Sequence, residues 1–384
     1  MRPPPGRLER LPEQYFARLL ARVAAAAAQE GEPLVDLGRG NPDVPPPPHV
    51  VERLVEVARE PTPAVHGYAP FLGLPALKEA ITERYRDRYG VSLDPEREVA
   101  VVPGTKTALV EVALCVAEHG DAVLLPDPGY PDYRSAVALA GARELSLPLD
   151  PSAGWAPDFA SAPRDRAAVV YLNYPSNPCA ACASHEVFAQ AVAYAGETGA
   201  LVLHDFAYAD LVFDGREPLS FLASDGAREV GVELFSMSKS YGMAGWRLGF
   251  VLGNAEVVAH VNLLQDHVRA GIFTAIQEAA IAALRGRQET VEDRRRLYER
   301  RRDGVVQALR ATRVGDVRCE GTFFVWFRLP DGVTAETLLA EHRVALAPGE
   351  GFGATGTGWA RISLATSDER LDLGLERLVR AFAD

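Results

Sequence analysis

Short runs of apolar residues alternate with helical stretches between about residues 98 and 252. The apolar runs, rich in valine and leucine, predict strands at 98–102, 122–125, 143–147, 167–172, 201–204, 230–235 and 247–252. Helical spacing of apolar positions predicts helices at 105–117, 133–140 and 185–197. Continuous apolar strands separated by helices are typical of a parallel sheet covered on both faces. The pattern therefore predicts an α/β fold with a mostly parallel sheet flanked by helices.

The two ends of the chain carry a different pattern. Near the start, Tyr15, Leu19 and Val23 have helical spacing and predict an amphipathic helix over 12–30. Beyond residue 255, helices are predicted at 257–268, 274–285, 289–311, 335–341 and 368–383, and strands at 321–329, 344–347 and 360–365. We therefore predict an N-terminal arm (1–43) that packs on the small domain, a large domain with the mostly parallel sheet (44–285) and a smaller α+β domain (286–384).

Composition and net charge limit the classes of protein and of partner that fit this sequence. The 384 residues are 48% hydrophobic and 24% charged, which is typical of a globular protein. A net charge of −12 argues against a surface for nucleic acid or anionic membrane. No apolar run is long enough to span a bilayer. We therefore expect a cytoplasmic protein with no membrane partner and no nucleic-acid partner.

Lysine is rare in this chain. The 40 basic residues comprise 37 arginines and three lysines, Lys78, Lys106 and Lys239. A lysine in such a background is a candidate for chemistry that needs a neutral amine, because the arginine guanidinium stays charged. Lys239 lies between two serines, in a stretch that is also consistent with a simple exposed loop.

Cys179 and Cys182 form a C-x-x-C motif. The chain has no second C-x-x-C and no histidine pair near the first, so we predict no metal site. A redox pair is one interpretation of the motif. Two small residues in a loop are the interpretation we favour.

Polar and glycine-containing segments follow the predicted strands. Because ligands bind at the carboxyl ends of strands in open α/β sheets, we expect these segments to meet at one edge. The candidates are Gly104, Thr105, Lys106, Tyr130, Asn177, Asp205, Tyr208, Ser236, Ser238, Lys239 and Arg247. Gly104 lies in the turn before a predicted helix that begins at Thr105, and the N-terminal N–H groups of helices bind anions.

One ligand accounts for this set, a flat heteroaromatic ring with an aldehyde and a phosphate, which is pyridoxal 5′-phosphate. Lys239 would hold the aldehyde as a Schiff base, and Asp205 would keep the ring nitrogen protonated. Tyr130 would stack on the ring, while Asn177 and Tyr208 would hydrogen-bond its hydroxyl. The phosphate would be held by a separate group of donors: Ser236, Ser238, Arg247 and the N–H groups of 105–107.

Eight segments of the chain resemble, in their order, those of a known family. They are Gly40-Asn41-Pro42, Gly67-Tyr68, Gly104-Thr105-Lys106, Pro128-Gly129-Tyr130-Pro131, Asn173-Tyr174-Pro175-Ser176-Asn177-Pro178, Asp205-Phe206-Ala207-Tyr208, Ser236-Met237-Ser238-Lys239 through Arg247, and Ala360-Arg361-Ile362-Ser363-Leu364. With these segments the chain resembles the fold-type I pyridoxal-phosphate enzymes, and among them the class I and II aminotransferases. The resemblance extends from about residue 36 to the C-terminus.

The resemblance implies an enzyme that moves an amino group between an amino acid and a 2-oxo acid. It implies Lys239, Asp205 and Tyr208 as catalytic residues. The Lys239 amine would serve as the general base at the substrate Cα. The same cofactor site also serves elimination, replacement or cyclisation of a modified amino acid, so a lyase or cyclase stays open as the alternative enzyme.

The resemblance also implies how substrate and partner subunit are bound. Arg361 would hold the substrate α-carboxylate as a bidentate fork, helped by Asn177 and the backbone near Gly40. Tyr15, on the N-terminal helix, would contribute to substrate binding. Tyr68 would reach the phosphate of the neighbouring subunit, which implies a homodimer with shared active sites.

Two departures from the family pattern bear on specificity. Cys179-Ala180 stands where family members usually carry Thr-Gly, so we expect that loop to bend differently. The segment 270–273, Ala-Gly-Ile-Phe, stands where aspartate-specific members carry an arginine, and Arg269 is not equivalent to it. The second departure argues against aspartate specificity. The side-chain pocket is expected to draw on Phe16, Arg39 and Phe352, which suits a neutral, aromatic or extended amino acid.

A function from another class, a ligand-sensing regulator with an aminotransferase-like domain, is disfavoured. Such regulators carry an N-terminal DNA-binding domain, whereas about 35 residues precede the first motif here. The acidic net charge also argues against contact with DNA.

Overall fold

The computed structural model describes residues 4–164 and 167–383. Its strands are β1 (Val35–Asp36), β2 (Val99–Val102), β3 (Ala122–Asp127), β4 (Arg143–Asp150), β5 (Ala156–Pro157), β6 (Ala167–Asn173), β7 (Leu201–Asp205), β8 (Gly231–Ser236), β9 (Gly249–Gly253), β10 (Val317–Arg318), β11 (Phe324–Arg328), β12 (Val344–Ala345), β13 (Ala347–Pro348) and β14 (Trp359–Ser363).

Its helices are α1 (Gly6–Glu9), α2 (Tyr15–Ala27), α3 (Pro48–Ala58), α4 (Pro63–His66), α5 (Pro75–Tyr89), α6 (Thr105–Val116), α7 (Tyr133–Ala140), α8 (His185–Thr198), α9 (Ala227–Val230), α10 (Met237–Ser240), α11 (Ala255–Val268), α12 (Thr274–Arg285), α13 (Glu289–Arg310), α14 (Ala335–Glu341) and α15 (Asp368–Ala381). Within residues 4–164 and 167–383, the helices are too short or too polar to cross a lipid bilayer.

The large sheet has the strand order β2-β9-β8-β7-β6-β3-β4-β5. The central strands β4, β3, β6, β7 and β8 are parallel to one another. β9 runs antiparallel to both β8 and β2, and β5 runs antiparallel to β4. Because β9 is reversed between them, β2 and β8 end at the same edge as the other parallel strands. The predicted α/β class and the mostly parallel sheet are confirmed.

Alternate residues of the central strands point into two separate apolar cores. In β2, Val99 and Val101 face the core under α5 and α12, whereas Ala100 and Val102 face the core under α6 and α11. Both faces of the strand are therefore buried, which is why its sequence is continuously apolar rather than alternating. Burial of each valine side chain contributes about 1.5–3 kcal/mol to stability.

Two smaller sheets involve the C-terminal part of the chain. One is antiparallel, with the order β10-β11-β14-β13, and the other pairs β12 with β1 in parallel. The predicted strand over 344–347 is thus two strands, which pair with different partners. β14 brings Arg361 opposite Trp326 and Ala347. The division into three units stays a prediction.

Several predicted boundaries differ from the structure for local reasons. α2 begins at Tyr15 rather than at residue 12, because the Gln14 side chain accepts hydrogen bonds from the N–H groups of Phe16 and Ala17 and caps the helix. The strand predicted from residue 247 begins at Gly249, because Arg247 has a φ of 58° and cannot continue an extended strand.

Candidate functional site

A cavity of about 280 Å³ opens at the edge of the large sheet where the parallel strands end. Of the residues predicted to form a site, its walls contain Gly40, Thr105, Lys106, Tyr130, Asn177, Asp205, Tyr208, Lys239 and Arg361. They come from widely separated parts of the sequence. Most of them meet because the strands that precede them run in the same direction.

Asp205 is the last residue of β7, and it is buried. Tyr133 donates a hydrogen bond from its hydroxyl to Oδ2 at 2.9 Å, and the Ala207 N–H donates to Oδ1 at 3.2 Å. On the adjacent strand, Asn173 donates from Nδ2 to the Asp205 backbone oxygen at 2.7 Å. Burial raises the pKa of Asp205, and the Tyr133 hydrogen bond opposes that shift. A cation beside this carboxylate would restore its charged form.

Lys239 lies on α10, directly after β8, and it lines the cavity. Burial is the largest cause that lowers the pKa of Lys239, to about 8. The positive charges of Arg361 and Arg247 lower it as well, whereas Asp205 raises it. The amine is therefore neutral in a larger fraction of molecules at neutral pH than an exposed lysine would be.

The lowered pKa predicts how Lys239 reacts in the ligand-free protein. Only the neutral amine attacks an acylating reagent, so the labelling rate rises with pH and is half its limit near pH 8. An ordinary lysine would reach that point at a pH of about 10.4. Mass spectrometry of the Lys239 peptide after timed acetylation across this pH range measures the midpoint. A midpoint at the ordinary value would show that the amine is solvated.

Arg361 is 1% exposed and also lines the cavity. It donates from Nη1 to Asn177 Oδ1 at 2.5 Å and from Nη2 to the Gly38 carbonyl at 3.0 Å, and its Cζ lies 3.8 Å from the centre of the Phe324 ring. Its Nε has no hydrogen-bond partner among the described residues. Burial lowers the pKa of Arg361 to about 10. A buried guanidinium with an unused donor is suited to bind a carboxylate.

A second group of donors lies where β2, β8 and β9 meet. Gly104 has a φ of 86°, and a Cβ built there would lie 2.3 Å from Nη2 of Arg247. Glycine at this position therefore leaves room for the guanidinium. Ser236 pairs with Gly249 across the sheet, and a Cβ at Gly249 would lie 3.3 Å from the Thr105 nitrogen. Thr105 begins α6, whose first N–H groups have no acceptor within the helix, so this corner is suited to an anion.

The N-terminal helix α2 lies over the cavity. Gln14 donates to Asp132 Oδ1 at 2.5 Å, and Tyr15 donates from its hydroxyl to the Pro348 carbonyl at 2.9 Å. The start of the helix is thus fixed to the loop after β3 and to the end of β13. Phe16, the next residue, lines the cavity. The structure places Phe16 on the cavity wall, whereas the Tyr15 hydroxyl is used to anchor the helix.

The remaining predicted residues lie at or beyond the rim. Gly104, Ser236, Ser238 and Arg247 belong to the anion-binding corner rather than to the cavity wall. Lys106 lines the cavity, but its amine forms an ion pair with Asp132 at 2.9 Å. Tyr68 is 90% exposed and does not line the cavity of its own chain.

Two residues that hold Asp205 were not identified from the sequence as part of the site. Tyr133 fixes the Asp205 carboxylate, and Asn173 fixes its backbone and accepts from the Asn177 N–H at 2.7 Å. Tyr133 begins α7 three residues after Tyr130, and the two rings lie 5.5 Å apart. Its closeness in sequence to Tyr130 was the available signal for a second aromatic side chain near the site. Asn173 ends a strand, as Asp205 does, and their register pairs them.

The loop after Asn177 contains Ala180 where family members usually have glycine, and Ala180 has the left-handed backbone conformation that glycine favours. Its φ is 54°. Its carbonyl accepts from the N–H groups of Glu320 and Gly321, which hold it there. Burial raises the pKa of Cys182 to about 12 and raises that of Cys179 as well. Protonated thiols react slowly, which favours the interpretation of small loop residues.

Comparison with known proteins agrees with the geometry. A family model described as aminotransferase class I and II matches residues 32–378. The L-glutamine--4-(methylsulfanyl)-2-oxobutanoate aminotransferase of Bacillus subtilis (strain 168) is 44% identical over 371 residues, which cover 95% of this chain and 92% of the relative. An LL-diaminopimelate aminotransferase of Desulforudis audaxviator (strain MP104C) is 42% identical over 379 residues, which cover 97% and 96%.

The similarity extends to solved structures. The apo structure of BacF from Bacillus subtilis superposes with a TM-score of 0.93 and 37% identity, covering 100% of this chain and 99% of that chain. The chain belongs to the family of class I and II aminotransferases, enzymes that transfer amino groups.

Proposed function

We propose that this aminotransferase works in the cavity at Lys239, with pyridoxal 5′-phosphate as its cofactor and an amino acid and a 2-oxo acid as its substrates. The observation that carries the proposal is the convergence of three charged groups on one cavity, the amine of Lys239, the carboxylate of Asp205 and the guanidinium of Arg361. Class I and II aminotransferases depend on this cofactor, and each group has chemistry that one part of the reaction needs.

The anion-binding corner fits the cofactor phosphate. The space that a Cβ at Gly104 would fill is bordered by Arg247 Nη2, and helix α6 begins beside it. Arg247, Ser236 and Ser238 would hold the phosphate together with the first N–H groups of α6. Lys106 would contribute its backbone N–H, since its amine is paired with Asp132.

The floor of the cavity fits the cofactor ring. Asp205 would pair with the ring nitrogen, and the Tyr133 hydroxyl would keep the carboxylate in place. Tyr130 would stack on the ring, while Asn177 and Tyr208 would hydrogen-bond its hydroxyl. When bound, the cofactor would supply a carbonyl that accepts the amino group and a conjugated ring that withdraws electrons from the substrate Cα.

Lys239 and Arg361 would act on the substrate itself. The unused Nε of Arg361, with the adjacent Nη donors, would bind the α-carboxylate and orient the Cα–H bond. The amine of Lys239, with a pKa near 8, would take the proton from Cα as general base and return it as general acid. Phe16 on α2 would exclude water from the cavity during the proton transfer.

We also propose a homodimer with shared active sites. Tyr68 is 90% exposed, and Phe71, Leu72 and Phe273 are exposed by 40% or more. The Phe273 ring lies 5.9 Å from that of His66, so the segment that contains Phe273 lies beside the one that contains His66 and Tyr68. Exposed apolar side chains on neighbouring segments are typical of a surface that a partner subunit covers. In the dimer, Tyr68 would reach the phosphate in the partner's cavity. A molecular mass in solution equal to one chain would contradict this.

A half-reaction tests the proposed function. The protein loaded with pyridoxal 5′-phosphate is mixed with an amino acid in the absence of any 2-oxo acid. We expect one pyridoxamine phosphate and one 2-oxo acid per subunit, because the amino group has no second acceptor. Continuous release of ammonia or of the amino-acid side chain, with no aminated cofactor, would identify a lyase instead.

A further inference from the structure

The cavity is lined by more charged side chains than the proposed reaction uses. Its charged lining residues are Asp36, Arg39, Lys106, Asp205, Lys239 and Arg361. The last three act on the cofactor and the substrate, and Lys106 is paired with Asp132 at 2.9 Å. One cation, Arg39, and one anion, Asp36, remain.

Arg39 is held beside the α-carboxylate site without a partner for its own side chain. It lies between Gly38, whose carbonyl accepts from Arg361 at 3.0 Å, and Gly40, where a Cβ would lie 3.6 Å from Arg361 Nη2. Its backbone is therefore fixed against the guanidinium that would bind the substrate. Among the described residues, the Arg39 guanidinium forms no ion pair or hydrogen bond.

Asp36 is fixed in a similar way and has one free acceptor. Its Oδ1 accepts from the Gly38 N–H at 2.9 Å, which closes a turn and orients the carboxylate. In the described part of the chain, Oδ2 has no hydrogen-bond partner. Asp36 and Arg39 thus offer one acceptor and one set of donors on the same short segment of the cavity wall.

The wall contributed by α2 is apolar. Phe16, Leu19 and Leu20 line the cavity at the helical spacing i, i+3 and i+4. This surface has no hydrogen-bonding group in its side chains and is suited to methylene groups. A substrate side chain would therefore contact apolar surface along its length and charged groups at Asp36 and Arg39.

We propose that Arg39 and Asp36 select amino acids whose side chain is a short methylene chain ending in a group that both accepts and donates hydrogen bonds. A primary amide and a zwitterionic amino-acid head group have this chemistry. Arg39 would donate to the amide or carboxylate oxygen, and Asp36 would accept from the amide or ammonium N–H. The inference rests on the proposed function, because it assigns the substrate class of the same cavity.

Electrostatics explains why an amino acid whose side chain ends in a single charge or in an apolar group is a poorer substrate. A side-chain carboxylate would pair with Arg39 but would lie near the like charge of Asp36, which is unfavourable. A purely apolar end would leave both charged groups without partners while removing them from water. A neutral head group with both functions satisfies each of them.

The test compares kcat/KM for L-glutamine, LL-diaminopimelate, L-glutamate and L-norleucine in the loaded wild-type enzyme, R39M and D36N. Methionine keeps the length of the arginine stem, and asparagine keeps an oxygen for the Gly38 N–H. We expect R39M to lower kcat/KM for the preferred polar substrate by about tenfold, since Arg39 is partly screened by solvent. We expect R39M to raise kcat/KM for norleucine, because methionine removes the charge that an apolar side chain would leave without a partner. We expect D36N to raise kcat/KM for glutamate relative to glutamine.

Each outcome decides one question. Preference for glutamine identifies the amide as the head group, and preference for LL-diaminopimelate identifies the zwitterion. A wild-type enzyme that prefers norleucine to both, or an equal loss for all substrates in R39M, overturns the inference. R39K, which keeps the charge, should recover part of the loss. If the wild-type enzyme aminates none of its cofactor with any amino acid, the proposed function fails instead.

Discussion

Replacement of Lys239 by alanine is expected to abolish turnover, with a loss of about 10⁴-fold or more in kcat. This is the upper end of the contribution of a general acid–base group, and it applies because the other described amine in this cavity, that of Lys106, is paired with Asp132. The cofactor would also lose its covalent attachment, so its visible absorption should shift and it should be lost on dialysis. Absorbance spectra and steady-state rates measure the two effects.

Lys78→Met is the matched control for Lys239→Ala. Lys78 is a buried lysine, and it lies on α5, outside the cavity. Burial also lowers its pKa, so a low pKa alone does not distinguish it from Lys239. We expect Lys78→Met to keep both the cofactor absorption and turnover. A Lys239→Ala protein with normal turnover would sink the assignment of this cavity.

Asp205→Ala is expected to have the next largest effect. Asp205 would form a buried ion pair with the ring nitrogen of the cofactor. Removing one partner of such a pair costs about 3–5 kcal/mol, which corresponds to a loss of about 10²–10⁴-fold in kcat/KM. The cost is high because Asp205 is buried and its carboxylate is fixed by Tyr133 and Ala207. Affinity for the cofactor should fall together with the rate. Fluorescence titration with pyridoxal 5′-phosphate measures the affinity independently of turnover.

Two further variants separate the charge of Asp205 from its position. Asp205→Asn keeps an oxygen for the Tyr133 hydroxyl but removes the charge, and we expect a loss nearly as large as that of alanine. Tyr133→Phe removes only the hydrogen bond at 2.9 Å and should cost about tenfold. If the asparagine variant kept most of the wild-type rate, the carboxylate charge would have no role in the reaction.

The local sequence was sufficient to predict the fold class and most members of the site. A run such as Val99–Val102 is apolar at every position, which identifies a strand with both faces buried. Parallel strands end at one edge, so residues as distant as Thr105 and Lys239 could be assigned to one cavity from the order of strands and helices alone. These inferences depend on periodicity and chain direction, which are properties of short segments.

Only the tertiary structure decided which side chains meet and what state they are in. No local pattern places the Tyr133 hydroxyl on Asp205, or the Tyr15 hydroxyl on the Pro348 carbonyl, because those contacts join segments that are far apart in sequence. The pKa of Lys239 depends on burial and on charges brought from other parts of the chain. Arg39 was expected in the side-chain pocket from the sequence. Only the folded chain shows that its backbone lies beside Arg361 and that its guanidinium has no partner among the described residues.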